Sequence, residues 1–193
     1  MFMFKFDIRR AMLVIVDPQN CFVHGELGTE EAVAAMGNVE TLAEARFAMI
    51  AVTRDTHDAD YAETLEGRRL NVIHGIRGTE GWEFAGRLPE ILGRKDDVIT
   101  FEKSTFGSIA LARLVHDLWR AGKIDAVVFC GFDSDVCVVT NALMDRAFTD
   151  GECEMAVIED ACAGTTPAAH EAALAVLRSC QFDVVTTDEV LGR

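Results

Sequence analysis

The sequence predicts an α/β fold in three layers: a six-stranded parallel sheet with helices on both faces, doubly wound. Short apolar runs rich in β-branched residues recur along the chain, and segments with an apolar period near 3.6 separate them. Parallel strands buried on both faces read as continuous apolar runs, and strand–helix alternation implies right-handed crossovers. With 193 residues and no linker, repeat or low-complexity tract, the chain reads as one domain over residues 1–193.

The elements follow in order. AMLVIVD (11–17) is the first strand, and residues 29–47 form a weaker helix interrupted by Gly37. AMIAVTR (48–54) is the second strand and DVITFEK (97–103) the third. In SIALARLVHDLWRAGK, Leu111, Leu114, Val115 and Leu118 share one face, with Ser108 placed to cap the start and Gly122 the end. DAVVFCG (125–131) is the fourth strand, and a helix opens soon after it with Cys137 in its first turn. EMAVIED (154–160) is the fifth strand. Thr166 followed by Pro167 starts the last long helix, and FDVVTT (182–187) is the sixth strand. Residues 55–96 break the rhythm, being too long and polar for a simple crossover, and long loops in compact domains are usually functional.

Composition narrows the function classes. A net charge of −14 argues against nucleic-acid binding, which needs clustered Lys and Arg. No apolar run approaches a membrane span, and MFMFKFDIRR lacks the apolar core and cleavage site of a secretory leader. A cytoplasmic protein is the expectation. The six cysteines form no CxxC pair and imply no disulfide framework.

In open parallel sheets, ligands bind beyond the carboxyl ends of the strands. Those ends carry Asp17, then Asp55 with His57, then Lys103, then the GFDSDVC turn leading to Cys137. A thiol early in a helix gains from the N-terminal N–H groups, which lower its pKa and could also hold an oxyanion. Lys103 would favour the thiolate, and Asp17 could accept its proton. Taken singly, Cys137 also reads as a core residue, Asp17 as turn chemistry in VDPQN, and Lys103 as a solvated lysine. Together they form a nucleophile, a base and a cation, the logic of a hydrolase. Asp55 and His57 project to one side of an extended segment, and Glu63 and His74 follow in the same excursion. Two imidazoles and two carboxylates suit zinc, manganese or iron. The other reading is a polar loop with incidental histidines.

With these residues in view, the chain resembles the isochorismatase-like cysteine hydrolases, and within them the nicotinamidase branch. DPQNCF resembles the family's aspartate motif, FEKSTFGS its lysine motif and GFDSDVCVVTNAL its nucleophile motif. The resemblance implies that Asp17 is the general base, Lys103 the catalytic lysine and Cys137 the attacking thiol. It implies a divalent metal (zinc, manganese or iron) held by Asp55, His57 and His74, with Glu63 where some members have a fourth ligand. It further implies a cis peptide at Phe132–Asp133, an oxyanion hole from the N–H groups of Asp133 and Cys137, and a homo-oligomer. The implied substrate is a small amide, nicotinamide first, against a pocket made by Phe22, Asn71 and Phe106. Asp133 departs from the family's small neutral residue, and Asn71 from its large apolar one. The alternatives are a related cysteine hydrolase of a ureide, carbamoyl compound or other small amide, vinyl-ether hydrolysis, and a non-enzymatic metal- or redox-responsive binding protein.

Overall fold

The computed structural model describes residues 7–193; residues 1–6, part of the stretch read as lacking a leader, lie outside them. The strands are β1 (Ala11–Val16), β2 (Met49–Asp55), β3 (Val98–Lys103), β4 (Ala126–Phe132), β5 (Glu154–Ala163) and β6 (Asp183–Val185). All pair in parallel, in the order β3-β2-β1-β4-β5-β6. β1 and β4 are buried along their whole length, which is why both read as unbroken apolar runs.

The helices are α1 (Asn20–Val23), α2 (Glu30–Glu44), α3 (Leu65–Leu70), α4 (Leu88–Leu92), α5 (Ile109–Arg120), α6 (Val139–Phe148), α7 (Pro167–Ser179) and α8 (Thr187–Leu191). Right-handed crossovers put α2 and the 56–97 excursion on one face and α5, α6 and α7 on the other. The packing agrees: α2 lies against α4, and α6 lies against both α5 and α7. The expected caps are present, with Thr29 accepting from Ala32 N–H, Ser108 from Leu111 N–H and Thr166 from Ala169 N–H. α2 differs from expectation, running unbroken through Gly37, because its buried face of Ala32, Ala35, Met36, Val39 and Leu42 holds it to the sheet.

The chain leaves β1 toward β2 on one side and later returns to place β4 on the other, so the topological switch point lies between β1 and β4. There Gly131 adopts φ +115° opposite Val16. A Cβ at this position would lie 2.1 Å from the Val16 carbonyl oxygen, so only glycine lets the two strand ends close up. That approach brings the turn after β4 beside the residue after β1. Among the described residues no helix is long and apolar enough to cross a membrane.

Candidate active site

Asp17 follows β1 in the left-handed region, φ 45°, and is fully buried. Aspartate tolerates this conformation better than most residues. Its N–H donates to Thr53 Oγ1 at 3.1 Å, and the Thr53 hydroxyl donates to Asp17 Oδ1 at 2.6 Å. Lys103, the last residue of β3, reaches across β2 to place Nζ 2.6 Å from Asp17 Oδ2. The same Nζ lies 3.3 Å from Asp55 Oδ1 and 3.6 Å from Cys137 Sγ. One buried ammonium thus binds the carboxylates at the ends of β1 and β2 to the thiol after β4.

Cys137 sits in a wide turn, Ser134–Val138, that precedes α6. The Asp133 carbonyl accepts from both Val136 N–H (3.1 Å) and Val138 N–H (3.0 Å). Asn141 braces the turn from α6, donating to the Cys137 carbonyl at 2.8 Å and to the Phe106 carbonyl at 3.1 Å. The Phe132–Asp133 peptide is cis, as the resemblance implied.

Burial dominates the electrostatics. It pushes the Cys137 thiol well above its ordinary value; Asp17 adds to the shift and Lys103 opposes it. Desolvation thus works against the lowering of the thiol pKa expected from its place early in a helix. Asp17 is raised by burial and by neighbouring Asp55, against the pull of Lys103. Burial opposes the charge on Lys103, but Asp17, Cys137 and Asp55 together raise it. Burial thus favours the neutral thiol and the neutral Asp17 carboxyl, while the Lys103 ammonium beside both favours their charged forms.

The second cluster lies a few ångströms away. Asp55 Oδ2 is 3.0 Å from His57 Nε2 and 3.2 Å from His74 Nε2. A short parallel bridge holds the imidazoles together: His57 N–H donates to Gly75 O and Arg77 N–H to His57 O, both at 2.9 Å. His74 Nδ1 lies 3.0 Å from the Val72 carbonyl, which as acceptor fixes the N–H tautomer there and turns Nε2 inward, the usual preparation of a metal-ligating histidine. Burial raises Asp55, but hydrogen bonds from His57 and His74 and the Lys103 charge outweigh it and hold the carboxyl well below the ordinary range.

The second carboxylate of this cluster is Glu66, not Glu63. One ligand atom from each of Asp55, His57, Glu66 and His74 falls within 4.8 Å of the others. Glu63 is exposed in a short 3-10 turn ahead of α3, whereas Glu66 lies in the first turn of α3 and faces His74 at 3.8 Å. The donor set of two imidazoles and two carboxylates, three of the four residues buried, fits zinc, manganese or iron.

Both clusters open on one cavity of about 780 Å³. Phe22 and Phe106 line it as expected, with Leu27, Tyr61, Leu65 and Leu70. Asn71 does not: it is exposed and caps the C-terminus of α3 at φ 55°, so the apolar wall comes from α3 itself. Two further residues went unremarked in the sequence. Buried Gln19 accepts from Asp55 N–H at 2.7 Å and donates to Asp55 O at 2.9 Å and Trp82 O at 3.1 Å, tying β1, β2 and the long excursion together. Tyr61 stacks on His57, ring centroids 4.4 Å apart. Gln19 stands inside the DPQNCF motif; Tyr61 had no signal beyond its place in the long loop.

Comparison with known proteins agrees with the fold. The isochorismatase domain family matches residues 11–189. A nicotinamidase/pyrazinamidase from Bacillus subtilis is 28% identical, with 91% of this chain and 99% of that one covered and a TM-score of 0.77. The pyrazinamidase of Pyrococcus horikoshii, solved in complex with zinc, is 23% identical over 92% and 99% of the two chains, with a TM-score of 0.73. N-carbamoylsarcosine amidase from Thermoplasma acidophilum is 24% identical over 93% and 97%, with a TM-score of 0.69. At 23% and 24% identity these last two speak to fold alone. No curated protein matches the chain.

Proposed function

This chain belongs to the isochorismatase family, and we propose that it is a cysteine-dependent amidohydrolase of small amides, with nicotinamide to nicotinate plus ammonia as the leading reaction. The observation that carries this reading is the position of Lys103 Nζ, 2.6 Å from Asp17 and 3.6 Å from Cys137 Sγ. A thiol whose neutral form burial favours needs a base at hand, here one held by the same ammonium, and a base of raised pKa can return the proton later.

The steps follow from these groups. Asp17 takes the thiol proton as Cys137 Sγ attacks the amide carbonyl carbon, and the carbonyl electron pair moves to oxygen. The N–H groups of Asp133 and Cys137 hold that oxyanion. As the tetrahedral intermediate collapses, the C–N bond breaks and Asp17 gives its proton to the departing ammonia. Water then attacks the thioester with Asp17 again as base, releasing the acid and restoring the thiol. Lys103 stays charged throughout, favouring Asp17 and the thiolate as anions. Phe22 and Phe106 supply apolar walls for the acyl group. A divalent ion on Asp55, His57, Glu66 and His74 would supply a Lewis-acidic charge that orients the substrate's far end. A second reading, hydrolysis of a ureide or carbamoyl amide by the same three residues, is favoured by the presence of Asp133 among the residues that line the cavity.

The test is ammonia release from nicotinamide by metal-stripped protein and by protein loaded with zinc, manganese or iron, with Cys137→Ala as control. Turnover that needs both the metal and Cys137 supports the full reading. No turnover by metal-loaded protein whose Cys137 still alkylates rejects nicotinamide and leaves another amide as substrate.

A further inference from the structure

Asp133 is the one carboxylate of the nucleophile turn that the hydrolytic steps leave without a task. Its N–H belongs to the proposed oxyanion hole, but the residue as a whole is only 6% exposed and is one of those that line the cavity. An aspartate at the start of a helical turn ordinarily caps it by accepting from the N–H groups that follow. Here the Asp133 main-chain carbonyl already accepts from Val136 and Val138, and the side chain makes no capping bond. The neighbouring Asp135 is fully occupied, its two oxygens accepting from Thr165 N–H at 2.8 Å and Thr165 Oγ1 at 2.7 Å.

The charges around Asp133 do not relieve it. Burial pushes its carboxyl up to about 7; Asp135 and Asp17 push the same way, and only His74 opposes them. A buried carboxyl without a donor costs free energy until something supplies one. Among the described residues no side-chain hydrogen bond reaches its oxygens, and as a residue of the cavity lining Asp133 stands where a bound molecule can meet it. A plain aromatic amide, all of whose N–H groups lie on the scissile nitrogen, would leave it orphaned.

We infer that the Asp133 carboxyl is a specificity-determining group, which accepts a hydrogen bond from a cationic or N–H-donating nitrogen carried by the substrate in addition to its scissile amide. The inference rests on the amide-hydrolysis reading and moves its substrate from nicotinamide to amides bearing a second nitrogen donor, such as an amino, ureido or guanidino group. The cavity has room for this: at about 780 Å³ it is in the upper part of the range for drug-sized ligands and exceeds the needs of a single-ring amide. A site built to bond a donor discriminates strongly against the analogue lacking it, because the site's own polar group is then left unpaired.

A matched pair of probes separates this from turnover. In 3-guanidinopropanamide and 5-methylhexanamide the shape is nearly the same, and the former adds N–H donors and the positive charge they carry. Their dissociation constants are measured by titration calorimetry on Cys137→Ala protein, which cannot cleave them, and on the same protein carrying Asp133→Ala or Asp133→Asn. The expected result is about tenfold or greater preference for the guanidino amide, as for a hydrogen bond to a charged group. That preference should fall to less than about threefold in Asp133→Ala, with Asp133→Asn between them, since the amide keeps an acceptor and loses the charge. Equal binding of the pair, preference for the hydrocarbon, binding of neither, or a preference that survives Asp133→Ala overturns the inference. Ammonia release by the parent enzyme is scored separately, so failure of the amidase reading is distinguishable from failure of this one.

Discussion

Cys137, Asp17 and Lys103 are meaningful only as a set. Removing the thiol leaves no nucleophile, and Cys137→Ala is expected to lower amide turnover by about a thousandfold or more. Asp17→Asn keeps the size of the base but not its proton affinity, and initial rates of ammonia release should fall by a similar amount. A different residue makes a stability prediction. Asp145, in α6, is fully buried, neither carboxyl oxygen has a hydrogen-bond partner among the described residues, and burial holds its pKa well above the ordinary value. A carboxyl raised on folding is neutral in both states at low pH, so it imposes no charging penalty there. As pH rises above the unfolded value, near 4, only the unfolded chain ionises and stability is lost, by up to about 1.4 kcal/mol per pH unit. Urea unfolding of Asp145→Asn should therefore show an advantage over the parent that grows from pH 4 to pH 7. An advantage that is flat with pH would mean that Asp145 is ionised in the fold.

At the scale of elements, the strand ends were legible and the long excursion was not. Asp17, Asp55, Lys103 and Cys137 each end or follow an apolar run whose length and composition speak for a buried strand, so sequence placed them on one rim. Glu66 was missed for Glu63, and Asn71 was misplaced in the pocket, because residues 56–96 take their shape from tertiary contacts and not from any local period. Gln19 clamps the Asp55 backbone, and Arg54 is stacked between Trp82 at 4.1 Å and Phe84 at 3.9 Å. Neither contact leaves a pattern in the residues it positions. α2 shows the opposite error, since Gly37 suggested a break that burial of the helix face overrides. There the prediction is direct. Gly37 is exposed within an unbroken helix, and a Cβ would meet nothing within 4 Å. Gly37→Ala should raise stability by about 0.5–1 kcal/mol in chemical denaturation, through the entropy of the unfolded chain.

For the whole molecule, the proposed reaction belongs to the strand ends, and the excursion supplies half of the second cluster. Asp55 and His57 stand at the end of β2, whereas Glu66 and His74 belong to the excursion, so an ion on all four ties the two together. Such an ion at about 100 times its dissociation constant should add roughly 2.7 kcal/mol to stability. For a chain of this size that corresponds to a rise in Tm of roughly 5–10 °C, visible by scanning calorimetry and absent in His74→Ala. No rise in the parent protein with zinc, manganese or iron would leave the four residues as a hydrogen-bonded cluster and no more. The six parallel strands were readable because apolar runs and helical periods alternate with few exceptions. The closeness of β1 to β4 depends on Gly131, whose role shows only once the strand order is known.

The central claim is that amide hydrolysis passes through an acyl group on Cys137. The most direct measurement is intact-protein mass spectrometry on acid-quenched samples taken milliseconds after mixing metal-loaded enzyme with a substrate amide, followed by peptide mapping. The account predicts a transient adduct of one acyl group, confined to the peptide bearing Cys137, forming with a burst of ammonia and decaying to free acid. Ammonia release that continues in Cys137→Ala, or proceeds with no adduct at any time, would contradict it.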